Sequence, residues 1–464
     1  MRAVISAAEM RAAEEAVFAA EPGVDLMGRA AAEVARIARV TSPPGPVLVV
    51  AGPGNNGGDG LFAAADLAAD RPVVVWLAME RGHEDGLAAA RAAGCAEVDA
   101  LGALDALADA ALVIDAVTGL GSRPGLPDEV ATFAAACEAA AVPVLAVDLP
   151  SGLDADSGRA HPSFHAHDTV TFATVKPCHV QAPAADRCGR VHVVDIGVDV
   201  PATSLRQAEE SDVAAWWPAP HSASDKYSRG VVMVDTGSAQ YQGAALLSVS
   251  GALHAGAGMV RYTGRVPSGL VLSRFPSVVM GEGRAQAMVL GSGWGDGEGS
   301  EGRVSAARLH GVPAVVDADA LHALPAGRLD GWLLTPHAGE LARMLGCTRA
   351  HVEAEPLVCV REVARHTGAA VLLKGATQYV AEPSGRVTVA VAGPGWTAQA
   401  GSGDVLAGIC GSLLAAGLPA WRAGVVGASV QAITAARNPG PHPPDELARR
   451  VPATVAELLA SVPQ

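Results

Sequence analysis

With 464 residues, 50% of them hydrophobic and 17% charged, the sequence is that of a globular chain with room for two or three domains. Its formal net charge of −15 argues against nucleic acid and anionic membrane surfaces as partners. That charge is unevenly spread. Residues 1–212 carry 30 acidic and 14 basic side chains, a net of −16, whereas residues 213–464 carry 18 and 19, a net of +1. The step predicts two modules, 1–212 and 213–464. The seven cysteines contain no CxxC pair, which suits reduced thiols in a cytoplasmic protein better than a disulfide framework or a zinc site. Glu9, Arg11, Glu14 and Glu15 interrupt any apolar signal core at the start. The uncharged run 405–421 contains several Gly and a Pro, and reads as a buried helix and turn rather than a membrane span.

In chain order, Ser6 and Glu9 have capping-box spacing, and apolar periodicity predicts two helices over 6–40 with a turn near Pro22-Gly23. Apolar runs at 47–51, 73–77, 111–115, 142–148 and 191–196 read as buried parallel strands. Alanine-rich helical stretches separate most of them, which predicts an α/β domain of the Rossmann-like, doubly wound kind. A junction follows over 199–222, with Pro201, the Glu209-Glu210 pair and Pro218-Ala219-Pro220. A second α/β pattern runs through 231–234, 287–290, 312–316 and 370–374, and the chain ends in alanine-rich helices.

The strand 47–51 leads straight into Gly52-Pro53-Gly54-Asn55-Asn56-Gly57-Gly58-Asp59-Gly60, with a helix expected over 61–69. The glycines satisfy GxGxxG, and Glu80 after the next strand could serve as a ribose acid, as in a dehydrogenase. Two features point elsewhere. Asn55 and Asn56 put amides at the loop tip, and Asp59 puts a carboxylate at the helix start, where it would repel a diphosphate. Two further strand ends carry Asp115 and Asp148, the latter followed by Ser151. In an open parallel sheet, ligands sit beyond the carboxyl ends of the strands, so Asn56, Asp115, Asp148 and Ser151 should meet in one crevice. The residue inventory is also selective. Only three lysines (Lys176, Lys226, Lys374) stand among 33 basic residues, so each marks a place where an ammonium serves better than a guanidinium.

The stretches AEMRAAE, LMGRAA, GPGNNGGDG, DAVTGLG and VDLPSGLDADSG, between about residues 4 and 200, resemble the NAD(P)H-hydrate epimerase family. The resemblance implies a potassium ion held by Asn56, Asp115 and Ser151. It implies that Asn55, Asn56, Gly57, Gly58 and Asp59, the loop Gly119-Leu120-Gly121-Ser122-Arg123-Pro124-Gly125, and Asp148 contact a hydrated nicotinamide cofactor, NADHX or NADPHX. Asp148 is then the proton-transfer residue.

The second half resembles the ribokinase-like, ADP-dependent NAD(P)H-hydrate dehydratases through DKYSRG, YQGAA, GALHAGAGMV, GSGWG, VDADAL, LLTPHAGELARMLG, VLLKGAT and AGSGDVLAGI, in that order. Glycines around Ser402 open a helix expected over 404–415, which makes an anion hole for a phosphoryl group in transfer. Asp404 at its start can accept a hydroxyl proton. The resemblance implies ADP, with Mg2+, on Lys374, Gly375, Ala376, Thr377, Gln378 and Gly403, and substrate on Ala244, Gly293, His337 and Asp404. The chain departs from the family pattern at Asp225, where histidine is usual, in GSGWG for GPGLG, and in the stretch before Gly401.

The leading expectation is therefore one chain that epimerises R- and S-NAD(P)HX and dehydrates the S form at the expense of ADP. A ribokinase-like kinase of a small metabolite fused to a nucleotide-binding module is the alternative. It would release a phosphorylated product, and it gives GNNGGDG no task. A non-catalytic fusion is disfavoured by the presence of Lys374 and Asp404. His161, His165 and His167 read as a solvated loop rather than a metal site. The sequence leaves a homo-oligomer open.

Overall fold

The computed structural model describes residues 1–295 and 299–461. The chain forms two compact units, Arg2–Thr203 and Ser204–Gln464, with Met1 grouped with the second. The division falls ahead of the 212/213 boundary read from charge. The short strand Leu205–Gln207 pairs in parallel with Val387–Val389, so residues 204–212 go with the second unit despite their acidic character.

In the first unit the Ser6–Glu9 capping box forms: Glu9 N–H donates to Ser6 Oγ at 3.2 Å and Ser6 N–H to Glu9 Oε2 at 2.7 Å. Helices Ala7–Ala20 and Leu26–Thr41 follow. The sheet has seven strands, in the order Ala96–Val98, Val73–Leu77, Val47–Ala51, Leu112–Ala116, Val144–Val147, Asp168–Phe172 and Arg190–Val194, and all pairs are parallel. Val47–Ala51, Val73–Leu77 and Val144–Val147 read as unbroken apolar runs because both faces are covered, whereas Ala96–Val98, Asp168–Phe172 and Arg190–Val194 carry polar residues, and Asp168–Phe172 is not among the apolar runs that the sequence predicts. Val47, Val49 and Ala51 pack under helices Leu26–Thr41 and Asn55–Leu67. Leu48 and Val50 face Ala103, Val130 and Phe133 of the helices on the other side. The chain winds outward from Val47–Ala51 and then returns to Leu112–Ala116 on its other flank. That reversal opens a crevice at the carboxyl ends of these two strands.

In the second unit the strands run in the order Leu205–Gln207, Val387–Val389, Tyr379–Ala381, Ala370–Leu373, Leu333–Leu334, Ala314–Val316, Ala287–Leu290, Val231–Asp235, Met259–Tyr262 and Val279–Met280. Pairing is parallel except on either side of Tyr379–Ala381. Helix Ser402–Ala415 is buried from Val405 to its end and lies against Gln242–His254. Glycine allows that approach: a Cβ at Gly251 would run into the Val405 carbonyl, and one at Gly408 into the Ser248 carbonyl. Among the described residues no helix is long and apolar enough to cross a membrane.

The expected helix starts need correction. The first glycine loop is itself helical from Asn55 onward, so Asp59 lies more than a turn inside the helix and not at its start. The second helix begins at Ser402 rather than Asp404, which leaves Asp404 in the first turn.

Candidate active sites

The first crevice is built by three strand ends. Val47–Ala51 delivers the helix Asn55–Leu67, Leu112–Ala116 delivers Asp115 and the 119–125 loop, and Val144–Val147 delivers Asp148 and Ser151. Gly52 is required by close approach, since a Cβ there would meet the Val117 carbonyl. Asp115 is completely buried. Its Oδ2 accepts from Ser151 N–H at 2.7 Å, and Ser151 Oγ both accepts from Thr118 N–H at 2.8 Å and donates to Thr118 O at 3.1 Å. Burial pushes the Asp115 carboxyl up to about 7, and no cationic side chain among the described residues offsets it. Asn56 Nδ2 and Thr118 Oγ1 are buried without a hydrogen-bond partner, and the Asn56 amide is pressed against Gly119. A buried carboxylate without a counter-charge, together with amide and hydroxyl oxygens, is the donor set that suits a hard monovalent cation.

Beside it, Asp148 takes a left-handed backbone, with φ of 64°. Its Oδ1 accepts from Lys176 Nζ at 2.8 Å and from Thr171 Oγ1 at 3.0 Å. Lys176 follows the strand Asp168–Phe172 and has no exposed surface, so of the two sequence readings, a residue closing a strand near this crevice and a surface lysine, the second is excluded; the pairing with Asp148 was not foreseen. Two more carboxyls lie within electrostatic reach of Asp148. Burial, with Asp148 and Glu14 nearby, pushes Asp59 up to about 8. Burial and Asp148 raise Glu14 as well, against the pull of Lys176 and Arg11. Glu14 lies in AEMRAAE but had been given no task. The 119–125 loop is tied down by Arg11 Nη1, which donates to Leu120 O at 3.1 Å, and by Gly125 N–H, which donates to Gly152 O at 2.8 Å. Arg123 and Pro124 on it are exposed. The histidines 161, 165 and 167 have separate surroundings. His167 Nδ1 accepts from Val144 N–H, and His165 faces Glu138.

The second crevice centres on Asp317, Lys374 and Asp404. Asp317 is buried; its Oδ1 accepts from Lys374 Nζ at 2.5 Å and from Thr335 Oγ1 at 2.8 Å, and its Oδ2 accepts from Ser292 Oγ at 2.9 Å. Sequence reasoning saw Asp317 only as part of VDADAL and gave it no role. Asp404, in the first turn of helix Ser402–Ala415, is pushed up to about 6 by burial and by Asp317, against the pull of Lys374 and Ser292. Burial disfavours the Lys374 ammonium, but Asp317, Glu340 and Asp404 outweigh it and raise the group. A Cβ at Gly403 would lie 3.3 Å from Lys374 Nζ, so the lysine sits at the open helix start. That start has no side-chain cap. Gly375 and Ala376 are exposed, and Thr377 and Gln378 are half-buried. Gly293 presses against Ala244, which brings together two expected substrate contacts. His337 caps helix Ala338–Leu345: its Nδ1 accepts from Gly339 N–H at 3.0 Å and Glu340 N–H at 3.2 Å, and the half-exposed ring leaves Nε2 beside Glu340.

The departures also find physical partners. Trp294 of GSGWG donates from Nε1 to Asp235 O at 2.8 Å, and Arg303 lies 3.7 Å from its ring centroid while pairing with Asp235. Asp225 staples its own turn, with Oδ1 accepting from Tyr227 and Ser228 N–H at 2.8 Å each.

Two family models match the chain. One described as "YjeF-related protein N-terminus" covers residues 23–178, and one described as "NAD(P)H-hydrate dehydratase" covers residues 232–451. The chain is 41% identical over 448 residues to the bifunctional NAD(P)H-hydrate repair enzyme Nnr of Mycobacterium tuberculosis, a match that spans 91% of each. It is 42% identical over 210 residues to the NAD(P)H-hydrate epimerase of Clavibacter michiganensis, covering 42% of this chain and 90% of that one. A crystal structure of the ADP/ATP-dependent NAD(P)H-hydrate dehydratase of Bacillus subtilis, co-crystallised with ATP and Mg2+, superposes with a TM-score of 0.52 at 24% identity. That match covers 55% of this chain and all of the other, and it shows a shared fold.

Proposed function

The chain belongs to the bifunctional NAD(P)H-hydrate repair enzymes, and we propose that its first unit interconverts the R and S epimers of hydrated NADH and NADPH while its second dehydrates the S epimer at the expense of ADP or ATP. One observation carries the assignment of residues: two of the chain's three lysines stand at the two crevices, Lys176 paired with Asp148 and Lys374 beside Asp404. Lys226, the third, is exposed. Supplying both epimers with ADP and following the return of NADH absorbance tests the reading. Recovery of less than the whole mixture would contradict it.

In the first crevice, the carbon to be inverted carries a hydroxyl and a ring nitrogen. Breaking and re-forming either bond on the opposite face requires a proton to leave or reach that hydroxyl, and Asp148 is the group that exchanges it. Asn55–Asp59 and the 119–125 loop bind the remainder of the cofactor. Asn56, Asp115 and Ser151 would hold potassium, which when bound supplies the positive charge that the buried Asp115 carboxylate lacks. Asp115→Ala should therefore slow epimerisation and abolish its dependence on potassium, while dehydration of pure S substrate stays normal. Epimerisation by the wild-type protein at full rate in potassium-free buffer would contradict the cation's part.

In the second crevice, Asp404 takes the proton from the C6 hydroxyl as its oxygen attacks the terminal phosphoryl group of the nucleotide. AMP leaves when the donor is ADP. The N–H groups at the start of helix Ser402–Ala415 and the Lys374 ammonium hold the transferred charge. The ring nitrogen then expels phosphate from C6, and loss of the C5 proton restores the double bond. Hydroxide leaves poorly at neutral pH, which is why a nucleotide is spent. The carboxylates of Asp317, Asp319 and Asp404 beside one ammonium suit a nucleotide that arrives with magnesium. Asp404 must be ionised to act, and it titrates at about 6. The kcat/KM for dehydration should accordingly fall as pH drops through 6, by about tenfold per unit below it. A rate that stays level well below that pH would contradict Asp404 as the base.

A further inference from the structure

The fully buried lysine beside Asp148 is more than a counter-ion. All three protons of the Lys176 ammonium have acceptors: Asp148 Oδ1 at 2.8 Å, Thr171 Oγ1 at 2.8 Å and Phe172 O at 3.3 Å. Thr171 Oγ1 donates to the same Asp148 oxygen at 3.0 Å. The Lys176 main chain closes a second loop to the same residue. Its N–H donates to His179 Nδ1 at 3.0 Å, and His179 Nε2 lies 2.9 Å from Asp148 O. Because Nδ1 accepts, the proton resides on Nε2, and this nitrogen donates to that carbonyl. Asp148 N–H donates to Val170 O at 2.6 Å. Backbone amide, backbone carbonyl and Oδ1 of Asp148 are therefore all held, and its left-handed backbone is fixed from both sides. Oδ2 takes no hydrogen bond from any described residue. Glu14 from helix Ala7–Ala20 and Asp59 from helix Asn55–Leu67 lie within electrostatic reach of Asp148, and each is raised by burial and by that carboxylate.

We propose that Lys176 is a positioning residue for epimerisation: its ammonium pins Oδ1 of Asp148, turned by Thr171 and braced by His179, so that Oδ2 alone is presented to the substrate hydroxyl. This rests on the reading of Asp148 as the proton-transfer group. Holding a catalytic group in its productive geometry is worth about 100-fold in rate when an ångström of freedom is at stake. An ammonium does this better than a guanidinium here, because it takes three acceptors at one point inside the core.

The test uses the full chain, with dehydration of pure S epimer as the internal standard. Lys176→Met fills the same space without charge, and Lys176→Arg keeps the charge but crowds the pocket. If Lys176 positions Asp148, epimerase kcat falls about 100-fold in Lys176→Met with KM little changed, and Lys176→Arg retains more activity than Lys176→Met. A purely packing role reverses that order, and reversal would overturn the proposal. Should either variant fail to fold, Thr171→Val decides. It removes one of the two donors to Oδ1 and should lower kcat several-fold at constant KM, and an unchanged kcat would overturn the proposal. Asp148→Asn separates the two levels. If it abolishes epimerisation while Lys176→Met runs within threefold of wild type, the positioning role alone is wrong. If Asp148→Asn itself epimerises normally, the underlying reading is wrong.

Discussion

Asp404→Asn is expected to abolish recovery of NADH from either epimer while leaving the epimers free to interconvert. The amide matches the carboxylate in size and keeps the first turn of helix Ser402–Ala415 intact, but it cannot take a proton. Loss of a general base costs ~10²–10⁴-fold in rate. The environment makes this base effective: burial and Asp317 push it up to about 6, closer to working pH than a surface aspartate, while Lys374 and Ser292 hold it down from going further. Chromatography of the epimers over time, with and without ADP, checks both halves of the expectation. Normal NADH recovery by the variant would remove Asp404 from the chemistry.

Asp148→Asn should give the mirror pattern. Pure S substrate is consumed at the normal rate, and R substrate only as fast as it epimerises unaided, a loss of similar size in the catalysed step. Asparagine is the informative replacement because it tolerates the left-handed backbone at φ of 64° that most side chains resist. It does leave the buried Lys176 ammonium facing an amide, and breaking a buried pair costs about 3–5 kcal/mol. A melting curve therefore has to accompany the assay. A slowed rate on pure S substrate from a folded Asp148→Asn protein would mean that the first crevice feeds the second reaction directly.

Much of the architecture was legible because parallel strands covered on both faces are written as apolar runs. Val47–Ala51, Val73–Leu77 and Ala287–Leu290 fall where the sequence placed them. Helix starts were less legible. Asn, Asn, Gly and Gly are poor helix formers, so 55–58 read as a loop, yet packing against Leu26–Thr41 and the strand end makes them the first turn. The unit boundary was displaced because Leu205–Gln207 is too short to show a period, and only its pairing with Val387–Val389 reveals its allegiance. Within the sites, several residues at strand ends, Asp115, Asp148 and Lys374 among them, could be named from sequence, since topology brings strand ends together. Lys176 could be placed near the crevice, at the end of its strand, but its pairing with Asp148 could not, because that partner is 28 residues away and the pairing depends on the register of two neighbouring strands, with Val147 opposite Val170. Asp317 was hidden for the same reason, as its partners Ser292, Thr335 and Lys374 lie on three other strand ends.

The most direct measurement mixes the two damaged proteins. Pure R substrate and ADP are given to Asp148→Asn alone, to Asp404→Asn alone, and to an equimolar mixture, and NADH absorbance is followed. With two independent active sites in one chain, Asp404→Asn should return no NADH from R, and Asp148→Asn should return it only as fast as R epimerises unaided. The mixture should return it at a catalysed rate, because one protein supplies the S epimer and the other consumes it. A mixture that performs no better than Asp148→Asn alone, while each variant keeps its own remaining partial reaction, would contradict the assignment of the two aspartates to two separable reactions.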